Sequence, residues 1–278
     1  MSRVARALAR ATARIGATSD TARLDAELLM AAALGIGRDR LILDPPNVVA
    51  PDQFAEMVDR RCAGEPVAYI TGHRAFWTID LEVGPGALIP RPDSETLLVA
   101  AVEHFAGTPG PKRILDLGTG PGTLLLAALD EWPEATGIGV DASPIALSFA
   151  QRNAERLGLG GRAALQLGDW GKGLRSRFDL ILCNPPYVNT RSMARLPAEY
   201  QAEPALALAG GTDGMDFIRQ LLADAPAHMS EHAVLVLEIG NERAHFEAAF
   251  PRLPAVWLET SAGDDQVLLL TREALLSL

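Results

Sequence analysis

The sequence predicts an α/β protein, a doubly wound, mostly parallel seven-stranded sheet preceded by a small N-terminal helical domain. Three observations carry that expectation. From Lys112 onward, strand-like and helix-like segments alternate, the pattern that builds a parallel sheet with its ligands at the strand C-terminal ends. A glycine-rich turn, Asp116-Leu117-Gly118-Thr119-Gly120-Pro121-Gly122, sits where the first of those strands meets the first of those helices. Residues 1–72 show helical periodicity instead.

Taken in order, Leu24, Leu28, Leu29 and Ala32 recur at helical spacing after Ser19, a residue suited to capping, and Gly35 and Gly37 end the pattern. Pro51 opens a second stretch and Gly64-Glu65-Pro66 stops it, giving a bundle of roughly four helices. Residues 73–90 change character. Ala75 to Val83 alternates and is rich in β-formers, Gly84-Pro85-Gly86 is a turn signal, and Ala87-Leu88-Ile89 follows, so a hairpin connector is expected there. Residues 91–278 form the remaining domain, beginning with a helix over Thr96 to Phe105 that a Gly/Pro loop closes. Its expected strands are Arg113 to Leu117, Thr136 to Asp141, Ala163 to Leu167, Phe178 to Cys183 and Ala233 to Ile239. Helices are expected over Pro121 to Asp130, Ser143 to Leu157, Gly214 to Ala225 and Asn241 to Phe250. Two late strands, Ala255 to Glu259 and Gln266 to Thr271, complete seven, with an antiparallel edge.

Composition narrows the function classes. Of 278 residues, 48% are hydrophobic and 22% charged, the balance of a globular protein with a full core. No apolar run reaches the eighteen or so residues a membrane span needs. The arginines of the first seventeen residues (MSRVARALARATARIGA) fit the solvated face of an amphipathic helix better than a transit peptide. Cys62 and Cys183 are far apart and in no metal-ligand spacing, which points to a reducing compartment and to no metal site. A net charge of −10 speaks against a nucleic-acid partner, since no dense basic block is present to neutralise phosphates.

The glycine turn predicts a nucleotide-like cofactor. Its spacing is G-x-G-x-G, so it matches neither the dinucleotide fingerprint nor a P-loop, which would also need a lysine. Asp141, ending the second strand, is placed to accept from both ribose hydroxyls. Asp169-Trp170, just past the third strand, offers an acceptor for an amino group and an apolar wall for a ring.

The second constellation is Asn184-Pro185-Pro186-Tyr187, after the fourth strand. Two prolines stop the ladder and contribute no backbone N–H, so this corner offers acceptors and one aromatic face. That set suits a planar group bearing an NH2, a carboxamide or an amino-purine. The same residues also fit a proline-rich surface turn. The five histidines, His73, His104, His228, His232 and His245, are scattered. Neither they nor Cys183 offers a base or a covalent nucleophile.

Glycine turn, Asp141 and Asp169-Trp170 together resemble the S-adenosylmethionine-dependent methyltransferases of the doubly wound class, over roughly residues 90–278. Asn-Pro-Pro-Tyr resembles the branch that methylates exocyclic amines or glutamine amides. Residues 65–95 (EPVAYITGHRAFWTIDLEVGPGALIPRPDSE) resemble the connector of the release-factor glutamine methyltransferases, the HemK/PrmC family. Asp25-Ala-Glu-Leu-Leu29 followed by Leu34-Gly35 is similar to that family's helical domain. A sister family acts on a ribosomal protein and would differ at Pro90–Glu95. Ser94 stands where the family usually has Thr, keeping the hydroxyl, and Glu238-Ile239-Gly240 matches with a variable position at Asn241.

The resemblance implies S-adenosylmethionine bound by Gly118, Thr119, Gly120, Pro121, Gly122, Asp141, Asp169, Trp170 and Asn184, leaving S-adenosylhomocysteine as product. It implies that Asn184, Pro185, Pro186 and Tyr187 hold the glutamine of the Gly-Gly-Gln motif of class I peptide chain release factors, with Arg91 and Glu95 near the site. The composition sets the further expectations of a cytoplasmic protein with no membrane partner, and its acidic balance disfavours direct nucleic-acid binding.

Overall fold

The computed structural model describes residues 2–260 and 263–278. They form two compact units, Met1–His73 with Pro197–Ala202, and Arg74–Leu196 with Glu203–Leu278.

Up to residue 72 the described residues of the first unit contain α1 (Arg3–Ile15), α2 (Ala22–Leu34), α3 (Arg38–Leu43), α4 (Asp52–Cys62) and α5 (Val67–Thr71), five helices where the sequence pattern predicts about four. Ser2 caps α1, its hydroxyl accepting from the Ala5 N–H at 3.1 Å. Val4, Leu8, Ala11 and Ile15 fall on one face and are buried against Leu29, Met30, Phe54 and Val58, leaving the arginine side of α1 outward. Each such Leu or Ile stabilises the unit by about 1.5–3 kcal/mol. Helix α2 is present, but its inward face is not the expected one. Leu24 is 40% exposed, and the buried positions are Ala22, Asp25, Ala26, Glu27, Leu29, Met30, Ala31 and Ala33. Asp25 is the reason. Its carboxylate accepts from the Arg61 guanidinium at 2.8 Å, both side chains buried, and that ion pair turns the Asp25 edge inward. Arg61 also pairs with Glu199 of the Pro197–Ala202 segment. Ser19 does not cap α2 directly; its hydroxyl donates to Asp25 at 2.8 Å. Gly35 ends α2 in the left-handed conformation, φ 64°, and the Ile36 N–H closes back on the Ala31 carbonyl at 3.0 Å.

The hairpin comprises β1 (His73–Phe76) and β2 (Ile79–Glu82), so it turns at Trp77-Thr78 and not at Gly84–Gly86. Trp77 adopts φ 54°, and its N–H donates to the Glu95 carboxylate at 2.8 Å, an anchor that no short-range signal announces. Gly84–Ala87 is a separate tight turn, and Ala87–Ile89 forms no strand.

After a 3-10 turn over Pro92–Ser94, the second unit runs α6 (Glu95–His104), β3 (Arg113–Leu117), α7 (Thr123–Glu131), β4 (Thr136–Asp141), α8 (Pro144–Arg156), β5 (Ala163–Leu167) and β6 (Phe178–Cys183). There follow short helices α9 (Thr190–Met193) and α10 (Ala198–Gln201), the latter within the first unit, then α11 (Asp216–His228), β7 (Met229–Glu238), α12 (Arg243–Ala249), β8 (Val256–Thr260), β9 (Gly263–Thr271) and α13 (Arg272–Leu276). The sheet has seven strands in the order β5-β4-β3-β6-β7-β9-β8. The first five are parallel; β9 is antiparallel to β7 and to β8, in line with the expected antiparallel edge. Ile114, Leu115, Leu180, Ile181 and Leu182 are fully buried, because the parallel strands are covered on both faces.

Register positions everything that matters next. Leu117 pairs with Val140 and with Cys183, Asp141 with Leu167, and Cys183 with Leu237. Gly118, Asp141, Gly168, Asn184 and Glu238 therefore emerge together along one edge of the sheet. The strand order reverses between β3 and β6, the place where open α/β sheets leave a crevice.

Candidate active site

The crevice is a cavity of about 290 Å³ at those strand ends. Its floor is the glycine turn. Gly118, Gly120 and Gly122 all have positive φ (75°, 57° and 89°), a conformation that side chains resist. The Gly118 and Thr119 N–H groups donate to the Val140 carbonyl, and Gly120 donates to the Asp141 carboxylate at 2.8 Å. A Cβ on Gly118 would lie 3.8 Å from the Asn184 carbonyl oxygen, so the glycine turn and the proline corner are immediate neighbours.

Two carboxylates border this floor. Asp141 accepts from the backbone of Gly120 and from Ser143 at 2.7 Å, and burial raises its pKa against those hydrogen bonds. It is Ser143, not Asp141, that caps α8, accepting from Ala146 at 3.2 Å. Asp116 is 1% exposed. One of its oxygens accepts from the Thr119 hydroxyl at 2.6 Å and the Leu125 N–H at 3.1 Å, while the other is buried with no partner. Burial pushes its carboxyl up to about 7. A buried acceptor without a partner, on a residue that borders a cavity, is costly unless a ligand supplies a donor or a positive charge nearby.

The walls rise from four places. Asp169 and Trp170 border the cavity; Asp169 is paired with Lys172, and the Trp170 ring packs on Phe217 with centroids 5.4 Å apart. Arg91 borders it too, held by Glu203, whose second oxygen accepts from the Ile89 N–H at 2.9 Å. Leu206 and Phe217, invisible as site residues in the sequence, close the apolar side.

Asn184 and Pro186 complete the wall, whereas Gly122, Pro185 and Tyr187 stand outside it. Gly122 opens α7 and packs on Leu126 and Ala150. Tyr187, expected to offer its face to a substrate, instead lies against Gly240, where a Cβ would come within 2.4 Å of the ring, and donates its hydroxyl to Glu238 at 2.7 Å. Glu238 also accepts from the Ser94 hydroxyl at 2.6 Å, and Ser94 in turn receives the Asn184 side-chain NH2 at 2.9 Å. Glu95 does not border the cavity; it is occupied with Trp77. Cys183 is fully buried, its thiol donating to the Leu117 carbonyl at 3.2 Å, and burial raises its pKa well above normal. It is no nucleophile at neutral pH.

The residues present fit S-adenosylmethionine. The side-chain-free glycine turn lets a ligand lie close against the backbone, Asp141 stands at the second strand end, and Asp116, bordering the cavity with one oxygen unpartnered, would answer a cationic cofactor. Among the polar residues that sequence reading did not single out for the site are Asp116, Ser94 and Glu238, the last standing behind the cavity wall through its bond with Ser94. Asp116 carried one signal, its place at the head of the glycine turn; the other two had only family-pattern matches.

Comparison with known proteins gives the family. Residues 6–72 match the PrmC N-terminal domain, and residues 110–232 match a methyltransferase domain. The chain is 42% identical over 267 residues to the ribosomal protein uL3 glutamine methyltransferase of Bordetella pertussis, covering 94% of this chain and 90% of that protein. It is 40% identical to the release factor glutamine methyltransferase of Rhodospirillum rubrum (91% and 79% covered), and 39% identical to that of Moorella thermoacetica (85% of each). A methyltransferase structure from Pyrococcus furiosus superposes with a TM-score of 0.52 at 18% identity, covering 71% of this chain and 91% of that one, a likeness of fold alone.

Proposed function

The chain belongs to the S-adenosylmethionine-dependent protein glutamine methyltransferases, and from that premise we propose that it methylates the side-chain amide nitrogen (N5) of the glutamine in the Gly-Gly-Gln motif of class I release factors. Its place of action would be the cytoplasm, where release factors work; among the described residues no helix is long and apolar enough to cross a membrane.

The observation that carries the reading is the Asn184 carboxamide, on the cavity wall beside Gly118 with its NH2 committed to Ser94. Its oxygen remains as the acceptor for an N–H of a substrate amide. Bound on the glycine turn, S-adenosylmethionine supplies an electrophilic methyl group. An amide nitrogen is a weak nucleophile because its lone pair is delocalised, so orientation is the main contribution this chain can make. A near-attack geometry lowers such a barrier by about 7–11 kcal/mol. Asn184 holds the nitrogen, the Pro186 edge limits its approach, and the buried Cys183 thiol takes no part. After transfer the nitrogen sheds its extra proton, so no base is required.

A second substrate has a specific observation in its favour, the 42% identity to a uL3 glutamine methyltransferase over 94% of the chain. One experiment separates the two. Purified protein is given labelled cofactor with a release factor, with uL3, or with an oligonucleotide, and the modified residue is mapped by mass spectrometry. Label on the Gly-Gly-Gln glutamine is the expected result. Label on uL3 alone would move the substrate, and label on nucleic acid would overturn the amide reading.

A further inference from the structure

We propose that Glu238 is a positioning residue which, acting through Ser94, dictates which edge of the Asn184 carboxamide faces the substrate. The inference rests on the glutamine reading of the same site. The two oxygens of Glu238 accept separately from the hydroxyls of Tyr187 (2.7 Å) and Ser94 (2.6 Å). Glu238 is 2% exposed and Ser94 3%, so bulk water does not compete for these bonds. A serine hydroxyl has one proton. Once Ser94 gives it to Glu238, its oxygen can only accept, and the group 2.9 Å away must then be the Asn184 NH2 and not its oxygen. The proton order of the chain Tyr187–Glu238–Ser94–Asn184 is thus set at the carboxylate, and it leaves the Asn184 oxygen for the substrate.

The opposite order would present an NH2 to the substrate NH2, donor against donor. The substitution Glu238→Gln permits that reversal. The amide it introduces can donate to Ser94, freeing the Ser94 proton to reach the Asn184 oxygen and turn the carboxamide over. Removing the Ser94 hydroxyl breaks the same link from the other side. Tyr187→Phe removes a donor to Glu238 but leaves the Ser94–Asn184 segment in place.

The test is a double-mutant cycle on the full chain, reading single-turnover methyl transfer to release factor at saturating cofactor. Cofactor affinity is measured by calorimetry on each variant. E238Q and S94A are each expected to slow transfer by about tenfold to 10²-fold, with cofactor affinity within about twofold of wild type. The double variant is expected to be no slower than the slower single, because both cut one chain. Losses that multiply in the double variant, or S94A at the wild-type rate, would overturn the proposal. Should E238Q fail to fold, S94A and S94T decide it: a rate lost in S94A and restored in S94T, which keeps the hydroxyl, supports the chain, and an S94T as slow as S94A refutes it. A readout without substrate comes from nitrogen-15 NMR of the Asn184 side-chain amide with cofactor bound. The expected result is one ordered NH2 in wild type, lost or averaged in S94A. Wild type that labels no release factor but shows this signature strikes the substrate reading alone; an NH2 signal unchanged in S94A strikes the positioning role.

Discussion

Replacing Asp116 by asparagine separates the electrostatics of the cavity from its shape. Asp116→Asn keeps an oxygen to accept from Thr119 and Leu125, so the glycine turn retains its support, while the charge is removed. In the free protein the Asp116 carboxyl is held up to about 7 from an ordinary 3.8, chiefly by burial. The sign follows directly. Between those two values the folded chain keeps a proton that the unfolded chain has lost, so stability falls as pH rises through the window. A shift of roughly three units at about 1.4 kcal/mol each is worth about 4 kcal/mol, all of it charged against the free fold above pH 7. The melting temperature of Asp116→Asn should therefore gain on wild type steadily from pH 4.5 to 7.5.

Cofactor binding runs the other way. A cationic ligand favours the ionised carboxylate, so binding below the carboxyl's pKa must expel a proton. With that pKa near 7, the apparent dissociation constant should be about sixteenfold weaker at pH 5.5 than at pH 7. This range lies below the titration of the cofactor's own amino group, near 7.7–8.0 in model compounds. Calorimetric titration of S-adenosylmethionine into both proteins is the assay. Asp141 is also raised by burial, and its charge adds to the Asp116 shift, so the difference between the two curves reads Asp116 together with its coupling to Asp141. A wild-type affinity flat across this range, or an Asp116→Asn protein that binds as tightly as wild type at pH 7, would refute the assignment of the open oxygen to the cofactor.

Three other outcomes follow from particular contacts. Asn184→Ala should cut turnover by about 10²-fold or more while the melting temperature stays near wild type, since the residue orients and does not support the core; a fold-intact variant with normal turnover would remove its central role. Asp141→Ala takes from a buried ribose hydroxyl of the cofactor its acceptor, at about 1–3 kcal/mol, so calorimetry should show cofactor affinity falling by about tenfold or more, and unchanged affinity would rule out that contact. Arg61→Met strands the buried Asp25 carboxylate and should destabilise the helical unit by about 3–5 kcal/mol, visible as faster hydrogen exchange in α1, α2 and α4; unchanged exchange there would deny the ion pair its structural role.

The parts of the molecule legible in the sequence are those whose causes are local. Strand β6 announces itself because Phe178 to Cys183 is an apolar run stopped by two prolines. The glycine turn is legible because positive φ at Gly118, Gly120 and Gly122, three times within five residues, is a demand that glycine meets without strain. Where tertiary contacts override local preference, legibility ends. The buried face of α2 escapes a one-dimensional reading because a carboxylate at position 25 reads as solvent-exposed until its partner, 36 residues later, is known to be buried with it. The connector turn escapes it because Gly84-Pro85-Gly86 is the stronger short-range signal, while the turn used depends on Glu95 accepting from Trp77 across 18 residues.

The same reasoning explains why the polar chain behind Asn184 is invisible in one dimension. Ser94 and Glu238 lie 144 residues apart, and Asn184 and Ser94 lie 90 apart. They meet because β6 and β7 are adjacent and parallel with Cys183 opposite Leu237, which sets Asn184 beside Glu238 with no further folding required. The connector then needs only one hydroxyl at position 94 to close the link. That division of labour has a physical logic. An acceptor that must present one particular edge cannot rely on its own torsional preference, because the two orientations of a carboxamide have nearly the same shape. It needs a neighbour whose protonation is decided elsewhere, and a buried carboxylate receiving two hydroxyls is such a neighbour. The proline corner supplies the position of Asn184; the carboxylate one strand away supplies its direction.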